Sequence, residues 1–407
     1  MISGSIATHS VSSIKIENVS IAATVVDWLR TLKVSSTEYK INKTADATIF
    51  TSCFALFILD LFCETDKFND SEREGWISYI QSYQDETDGY FKLRVQLHQD
   101  QERSWHQLTC FCISALGILG SVPLFRLRFL EKWQTQDDVR RYLLEQGCHE
   151  GRHSSGNKAM FLAIFMTYEF ERTGDQYLRR GIEAWFNFHD EHQNSHGFWG
   201  NNLQSKYMHG MQNGFHQFEI YFYWKRHLQR LAQIVDVGLM MQDRDGFFGP
   251  TPGGDACHDY DTIHTLVTAH RLAEYRNNDI ADCLKKAAAA IRSNQNSDGG
   301  FCQSRKQVCS RMDLMRHFPF YFSGHHPYLW YYRARRTFGV FLRKEQIIQT
   351  GWTKEGRAWA DSNLWDTWFR CLALAEIESV LPCFSDTSLR SAKFHKTIGL
   401  GYFNPQK

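Results

Sequence analysis

The sequence predicts an all-α protein in which repeated helical hairpins close into a ring, an (α/α)6-type toroid or barrel. Two observations predict this fold class. One phrase recurs along the 407 residues, with a glutamine, a short polar turn, a glycine and aromatic residues, at Gln84–Phe91, Gln193–Trp199, Gln242–Phe248 and Gln295–Phe301. Around the copies, apolar helical segments alternate with segments that have one polar face. A recurrence of about fifty residues indicates one supersecondary unit copied several times.

The spacing of the glycines supports the repeat. Gly197, Gly246 and Gly299 are 49 and 53 residues apart, and a weaker copy at Gln146–Gly151 helps to fill the gap after Gly89. Asp-Gly and His-Gly pairs favour turns. We therefore expect each phrase to form the turn that follows an outer helix and leads back to an inner one.

The helices predicted between these turns fall into two classes. Segments that are apolar over much of their surface predict inner helices, and they are residues 45–63, 107–119, 159–171, 215–226, 262–275 and 366–380. Segments with a polar face predict outer helices, and they are residues 138–145, 177–190, 227–241 and 280–294.

One stretch, residues 311–341, breaks this pattern. Its aromatic phrase His317–Pro327 predicts an irregular insert before the last helical pair. No linker-like composition divides the chain. We therefore expect a disordered tail over residues 1–20 and one toroid domain over residues 21–407.

The composition excludes several classes of protein. The net charge is +1, from 46 basic and 45 acidic residues, so we expect no nucleic-acid-binding surface and no polybasic tail for a membrane. No apolar run reaches the roughly 18 residues of a membrane-spanning helix, and the polar N-terminus has no secretory core. Eleven cysteines without a CxxC pair favour free thiols in a cytoplasmic protein. The composition leaves the oligomeric state open.

In a toroid, the inner helices run parallel, so their N-terminal ends meet at one end of the ring, here called the mouth. Unpaired backbone N–H groups and positive helix ends gather there. N-capping explains an Asp or Asn at such a position, but His is a poor cap. We therefore expect a substrate-binding site among the polar and aromatic residues that open the inner helices: His106, Asn157, His216, Tyr260, Trp365 and Asp366.

The densest cluster of chemically active residues is Gly253–Thr265. Asp259 and Asp261 are paired acids, and close carboxylates raise one pKa and so supply a protonated general acid. Asp261 and His264 are three residues apart and share a helix face. We expect Asp261, Asp259 and His264 to be catalytic. The alternative is a capped, solvated helix start in which His264 binds the backbone.

Two further pairings follow from spacing. Asp366 and Arg370 are four residues apart, which predicts an ion pair on one helix face that is structural or contacts the substrate. A three-ligand zinc site is a second possibility, drawn from His209, His216, His258, Asp261 and His264. No motif such as HExxH supports it, so no metal or other cofactor is predicted.

The glutamine–glycine–aromatic phrases resemble the QW-type repeats of the terpenoid cyclase and protein prenyltransferase superfamily, and residues 363–376 are similar to inner helices of triterpene cyclases. The resemblance covers about residues 45–380 and implies an α/α toroid. Class II cyclases carry an Asp-x-Asp-Asp acid motif, and Asp259–Thr262 matches it except for the last acid. The resemblance implies that Asp261 donates a proton, that Asp259 tunes it and that His264 orients it.

Protein prenyltransferase β subunits bind zinc through an Asp-x-Cys pair and the histidine of an Asp-x-x-His-Thr phrase. Asp261–Thr265 resembles the second element. In the stretch compared with the first element, Asn213–Phe218, Phe215 stands where cysteine is required.

Two other functions stay open beside acid-initiated cyclisation of an isoprenoid. Toroids also serve intracellular carbohydrate-active enzymes, and a uronate lyase or glycoside hydrolase acting on an oligosaccharide would use Asn157, His216 and Tyr260. A non-catalytic binding toroid is the third interpretation, because fold does not determine function.

Overall fold

Two concentric layers of helices form this protein in its computed structural model, which describes residues 20–94, 100–306, 308–324, 326–343, 347–348, 350–383 and 386–404. The inner layer consists of α2 (Ile49–Leu61), α4 (Gln101–Ile118), α6 (Ser155–Thr173), α8 (Met208–Tyr223), α10 (Ala256–Leu272) and α15 (Leu364–Val380). The outer layer consists of α1 (Ile21–Arg30), α3 (Asp70–Gln81), α5 (Gln136–Glu145), α7 (Gln176–His192), α9 (Leu231–Met241) and α11 (Asn277–Arg292).

The inner helices form a closed ring. Each packs against the next in chain order, and the last, α15, packs against both α10 and the first inner helix, α2. The outer position beside α11 is filled from the other end of the chain, where Thr24 of α1 accepts a hydrogen bond from Gln295 Nε2 at 3.2 Å. The (α/α)6-type toroid predicted from the repeat is confirmed.

Burial separates the two layers as the sequence predicts. Every residue of α2 is buried, as suits a helix surrounded by others. Outer helix α5 instead buries only Val139 and Leu143, which lie four residues apart on one face. Burial of these stripes against the inner ring is the main favourable term that holds the layers together.

The repeated phrase has a specific structural cause. In each full copy the glutamine side-chain Nε2 donates to the carbonyl of the phrase's own glycine, at 3.0 Å for Gln84, 2.8 Å for Gln193, 3.2 Å for Gln242 and 3.0 Å for Gln295. The same amide reaches the next outer unit, as when Gln242 donates to the Cys283 carbonyl at 2.7 Å. The glutamine therefore closes its turn and joins neighbouring hairpins.

The predicted helices are confirmed, but four inner helices begin four to seven residues before their predicted starts. The first turns of α4, α6, α8 and α10 carry polar residues that hide the apolar periodicity. Two amphipathic outer helices, α1 and α3, were not predicted. A disordered tail was predicted for residues 1–20. Residues 1–19 lie outside the described ranges, and the Ser20 side chain caps α1 by accepting a hydrogen bond from the Ala23 N–H.

The insert is more regular than predicted. It contains α12 (Arg311–Arg316), α13 (Phe318–Tyr321) and the 17-residue helix α14 (Pro327–Arg343), and it leads into the antiparallel pair β1 (Ile347–Ile348) and β2 (Arg357–Ala358). The expected last helical pair is wrong: among the described residues, α15 is the one toroid helix after the insert, and α1 supplies the outer helix. In the described ranges, no helix is long and apolar enough to cross a membrane.

Candidate functional site

A cavity of about 340 Å³ opens at the mouth of the toroid. It lies where α4, α6, α8, α10 and α15 begin, and the segment before α15 covers one side of it. Polar side chains from the helix starts form one wall, including Arg103, Asn157, His209, His216, Asp255, His258 and Asp261. Aromatic and aliphatic side chains form the rest, including Phe161, Trp352, Trp365, Phe369 and Leu400.

The start of α10 is shaped by two glycines. Gly253 and Gly254 have φ of +80° and +82°, a conformation that favours glycine. A Cβ at Gly254 would collide with the Asp259 carboxylate. The tight turn allows Asp255 to cap the helix, where its carboxylate accepts from the His258 N–H at 3.4 Å. The glycines therefore bring the preceding loop directly against the acids of α10.

Asp259 is a structural acid buried behind the cavity wall. Its Oδ1 accepts from the backbone N–H groups of Phe248 at 2.7 Å and Gly249 at 2.9 Å. Its Oδ2 accepts from the Asp255 N–H at 3.0 Å and from the Arg370 guanidinium at 3.1 Å. These four hydrogen bonds connect the loop to α10 and α15. Asp259 affects the cavity only through its charge, which raises the pKa of Asp261.

Asp261 stands in the opposite situation. It lines the cavity, it is only 5% exposed, and its carboxyl group has no hydrogen-bond partner in the described part of the chain. Burial raises the pKa of Asp261 well above its usual value, and the charges of Asp255 and Asp259 raise it further. A carboxyl group in this environment keeps its proton to a higher pH than a solvated one, which suits a general acid.

His264 does not reach Asp261, although both lie on α10. Its Nδ1 lies 3.0 Å from Glu376 Oε2, and the Tyr260 hydroxyl donates to Glu376 Oε1 at 3.0 Å. His264 lines a second cavity of about 530 Å³ at the opposite end of α8 and α10. No contact with Asp261 therefore supports the predicted orienting role of His264. The spacing within α10 could not reveal that His264 bonds Glu376, which lies on another helix.

Three of the predicted mouth residues line the cavity: Asn157, His216 and Trp365. Asn157 Nδ2 lies 3.0 Å from His216 Nε2. Burial lowers the pKa of His216 to about 3, so the ring is neutral. If the amide donates to Nε2, Nδ1 carries the ring proton, and Nδ1 has no partner among the described residues.

Two other predicted residues lie outside the cavity lining. His106 is buried among aromatic rings, and its Nε2 lies 2.9 Å from the Tyr90 hydroxyl. Burial lowers the pKa of His106 to about 4. Tyr260 is fully buried and donates to Glu376, as described above. Both lie in the second turn of their helices and bond buried side chains of neighbouring elements.

The predicted Asp366–Arg370 ion pair is wrong. Arg370 binds Asp259 and the carbonyls of Cys302 and Gln303, at 3.1 Å and 2.6 Å for the two carbonyls. Asp366 instead pairs with Arg357, which lines the cavity. The i,i+4 spacing of Asp366 and Arg370 was compatible with an ion pair. In the structure each of them instead pairs with a residue of another element, Arg357 and Asp259 respectively.

Of the residues predicted as zinc ligands, only His258 belongs to a ligand cluster in the described part of the chain, at the start of α10; its partners Asp255 and Cys257 were not predicted. One ligand atom each of Asp255, Cys257 and His258 lies within 4.8 Å of the others. Asp255 Oδ1 lies 3.2 Å from Cys257 Sγ and 3.5 Å from His258 Nδ1. The signal was present, because Asp255-Ala-Cys257 is itself an Asp-x-Cys pair, one inner helix later than the stretch compared with that motif.

Comparison with known families agrees with this architecture. A family model described as "Prenyltransferase alpha-alpha toroid domain" matches residues 5–159 and, in a second overlapping match, residues 95–309. Together the matches span more than half of the chain and include the first turns of α4, α6, α8 and α10. Neither the comparison with curated proteins nor that with solved structures gave a match.

Proposed function

This chain belongs to the family of prenyltransferase alpha-alpha toroid domains, and from that premise we propose that it is an enzyme that starts the cyclisation of an isoprenoid by protonating it. One observation carries the proposal. Asp261 combines burial, a raised pKa, exposure to a cavity and the lack of a hydrogen-bond partner in the described part of the chain. These properties suit a carboxylic acid that must stay neutral until substrate arrives.

The proposed step is a proton transfer. The Asp261 O–H bond breaks, and the proton joins one carbon of an alkene or the oxygen of an epoxide in the substrate. The adjacent carbon becomes a cation, and the electron pair of a second alkene attacks it to form a carbon–carbon bond. The final cation loses a proton, so the overall reaction is an isomerisation that consumes no cofactor.

The aromatic part of the cavity suits the cation. The ring centroids of Trp352 and Trp365 lie 4.1 Å apart, and those of Trp365 and Phe369 lie 4.5 Å apart. Such π-systems attract a nearby positive charge by about 0.5 to 2 kcal/mol each. The cavity volume lies at the low end for small-molecule sites, which favours a short isoprenoid over a triterpene.

The cluster of Asp255, Cys257 and His258 has the donor set that zinc prefers, and His258 Nδ1, which accepts no hydrogen bond from the described residues, fits a ligand role. These three side chains would hold a zinc ion, which would supply a Lewis-acidic centre beside the cavity. Without a metal, burial and the charge of Asp255 raise the pKa of Cys257 well above its usual value, so the thiol stays protonated. The proposed proton transfer uses Asp261 alone.

The polar wall supports a second candidate function. Asn157 and the neutral His216 form a hydrogen-bonded pair at the cavity. A uronate lyase needs an amide to neutralise a carboxylate and a neutral base to remove the adjacent proton. Turnover of an oligosaccharide would therefore require Asn157 and His216 but not Asp261.

A turnover screen separates the two candidates. The purified protein is incubated with prenyl diphosphates and squalene, and in parallel with uronate-containing oligosaccharides, and the products are identified by mass spectrometry. We expect a cyclised isoprenoid from the wild type and none from Asp261→Asn. Unsaturated sugar products that survive Asp261→Asn but not Asn157→Ala would overturn the proposal in favour of the lyase.

A further inference from the structure

Exposed apolar side chains are concentrated on the insert. Eight of the fourteen large hydrophobic side chains that are exposed in the described part of the chain lie within residues 312–347. They are Met312, Met315, Phe318, Phe322, Tyr331, Phe338, Leu342 and Ile347. Single exposed apolar residues are ordinary, but a concentration of this kind marks an interaction surface.

Helix α14 shows that the exposure is systematic. Its buried residues include Leu329, Thr337 and Val340, and Leu329 belongs to the main hydrophobic core. Its opposite face carries a second apolar stripe of Tyr331, Phe338 and Leu342, at spacings of seven and four residues. Leu342 is 63% exposed and Phe338 is 50% exposed. A helix with two apolar stripes is normally covered on both sides, and the outer stripe of α14 is open.

Ring contacts connect the apolar side chains of α13 and α14, and α12 packs next to α13. The ring centroids of Phe318 and Phe322 lie 5.1 Å apart, and those of Phe322 and Trp330 lie 5.9 Å apart, which joins α13 to α14. Met312 and Met315 precede them on α12. We call the exposed residues of this surface the insert patch: Met312, Met315, Phe318, Phe322, Tyr331, Phe338 and Leu342.

The charges around the patch have one sign. Residues 311–343 contain six arginines and one acid, Asp313, although the whole chain is nearly neutral. Arg333 is buried and holds the insert to the toroid by donating to backbone carbonyls. Arg335 and Arg336 are exposed beside the apolar stripe. A second copy of this chain on the patch would bring like charges together, whereas an anionic surface would be attracted.

We propose that the insert patch docks this protein on the surface of a bilayer that contains anionic lipids. Apolar side chains would enter the boundary between headgroups and acyl chains, and arginines would contact the lipid phosphates. This mode needs no spanning helix. The membrane contact does not depend on which reaction the cavity performs.

Docking would also bring the cavity close to the membrane. Tyr332 of α14 lies with its hydroxyl 2.8 Å from Nε2 of His209, a residue of the cavity wall. The Tyr207 hydroxyl lies 3.1 Å from Nε2 of His326, just before α14. The insert is therefore fastened beside the mouth of the toroid.

Vesicle co-sedimentation tests the proposal. Phosphatidylcholine vesicles are compared with vesicles that also contain phosphatidylserine. We expect the full chain to bind the anionic vesicles, more weakly at high salt. Arg335→Gln with Arg336→Gln should weaken binding about 30-fold, since each basic residue near such a surface contributes about 1 kcal/mol. Phe338→Ser with Leu342→Ser should weaken it at least about tenfold.

A matched control is Leu144→Ser on outer helix α5, where Leu144 is also exposed, at 43%; it should bind as the wild type does. All substituted side chains are exposed, so the circular dichroism spectrum and melting temperature should be unchanged. Lack of binding by the wild type to anionic vesicles overturns the proposal. So does a wild-type dimer in analytical ultracentrifugation that Phe338→Ser with Leu342→Ser converts to monomer, because the patch would then be a contact between copies.

Discussion

Arg370 binds the carboxylate of Asp259 at 3.1 Å, across from α15 to α10, and leaves Asp366, four residues before it on α15, to Arg357. Both members of the Asp259–Arg370 pair are at most 1% exposed. Three backbone N–H groups also bind Asp259. Asp259 therefore has a structural role. Asp261, two residues later, lines the cavity and is the acid available to react with a substrate.

Asp259→Asn and Asp261→Asn should therefore differ in their effect on stability. Asp259→Asn leaves the buried Arg370 without its charge partner, and we expect a loss of about 3–5 kcal/mol in the free energy of unfolding. Asp261→Asn breaks no hydrogen bond of the described structure and should cost no stability. Urea denaturation of the two isosteric variants checks this. Equal losses would contradict the separate roles of the two acids.

The raised pKa of Asp261 predicts a pH dependence of stability. The folded protein keeps a proton that the unfolded chain releases above its usual pKa of 3.8, so wild-type stability should fall as pH rises from there to the folded pKa. Asp261→Asn lacks this effect. Its advantage over the wild type should grow by up to about 1.4 kcal/mol per pH unit within that window.

Denaturation at several pH values between about 5 and 8 measures this difference. Glu74→Gln, at an exposed position of α3, controls for the exchange of a carboxyl for an amide. A constant difference between wild type and Asp261→Asn across the range would show that Asp261 is ionised in the fold, contrary to the account.

The repeated turns make a prediction about ring closure. Gly299 has a φ of +101°, and a Cβ there would collide with the Thr24 carbonyl of α1. We expect Gly299→Ala to destabilise the protein by about 1–3 kcal/mol. Gly75→Ala is the control, because α3 is helical there and nothing lies within 4 Å; it should stabilise by about 0.5–1 kcal/mol. Thermal unfolding compares them, and equal shifts would contradict the packing of α1 against the last turn.

The ligand cluster predicts metal binding. Cobalt added to the metal-free protein should give a thiolate-to-metal absorption band, because Cys257 lies with Asp255 and His258 in a suitable donor set. Cys257→Ser should remove the band, and Cys309→Ser, at an exposed cysteine, should retain it. A band that depends on neither cysteine would show binding elsewhere. Lack of any band would show that the three side chains form only a hydrogen-bonded helix start.

The fold could be predicted from the sequence because its repeat has a local cause. Each glutamine donates a hydrogen bond to the glycine carbonyl of its own phrase, so the residues that form each turn lie close together in the sequence. The closure of the ring by α1 could not be predicted in this way. It depends on the contact of Gln295 with Thr24, which are 271 positions apart.

The candidate site was partly predictable for a similar reason. Asn157, His216, Asp261 and Trp365 were predicted at inner-helix starts, and all four line the cavity, although His216 lies two turns inside α8. Arg357 and Trp352 also line it, but they come from the segment before α15, whose position depends on tertiary packing. The hydrogen-bond partners of charged side chains were the least predictable feature. Arg370 and His264 bond acids of other helices rather than the acids spaced three or four residues away on their own helix.

The most direct test of the central claim is the origin of the proton in the product. The reaction identified in the turnover screen is run in deuterated water, and the product is analysed by mass spectrometry. The substrates of the screen are alkenes, so the account predicts one deuterium at the carbon protonated in the first step. It also predicts no product from Asp261→Asn, although that variant remains folded. A product that contains no deuterium, or one that Asp261→Asn forms at the wild-type rate, would contradict it.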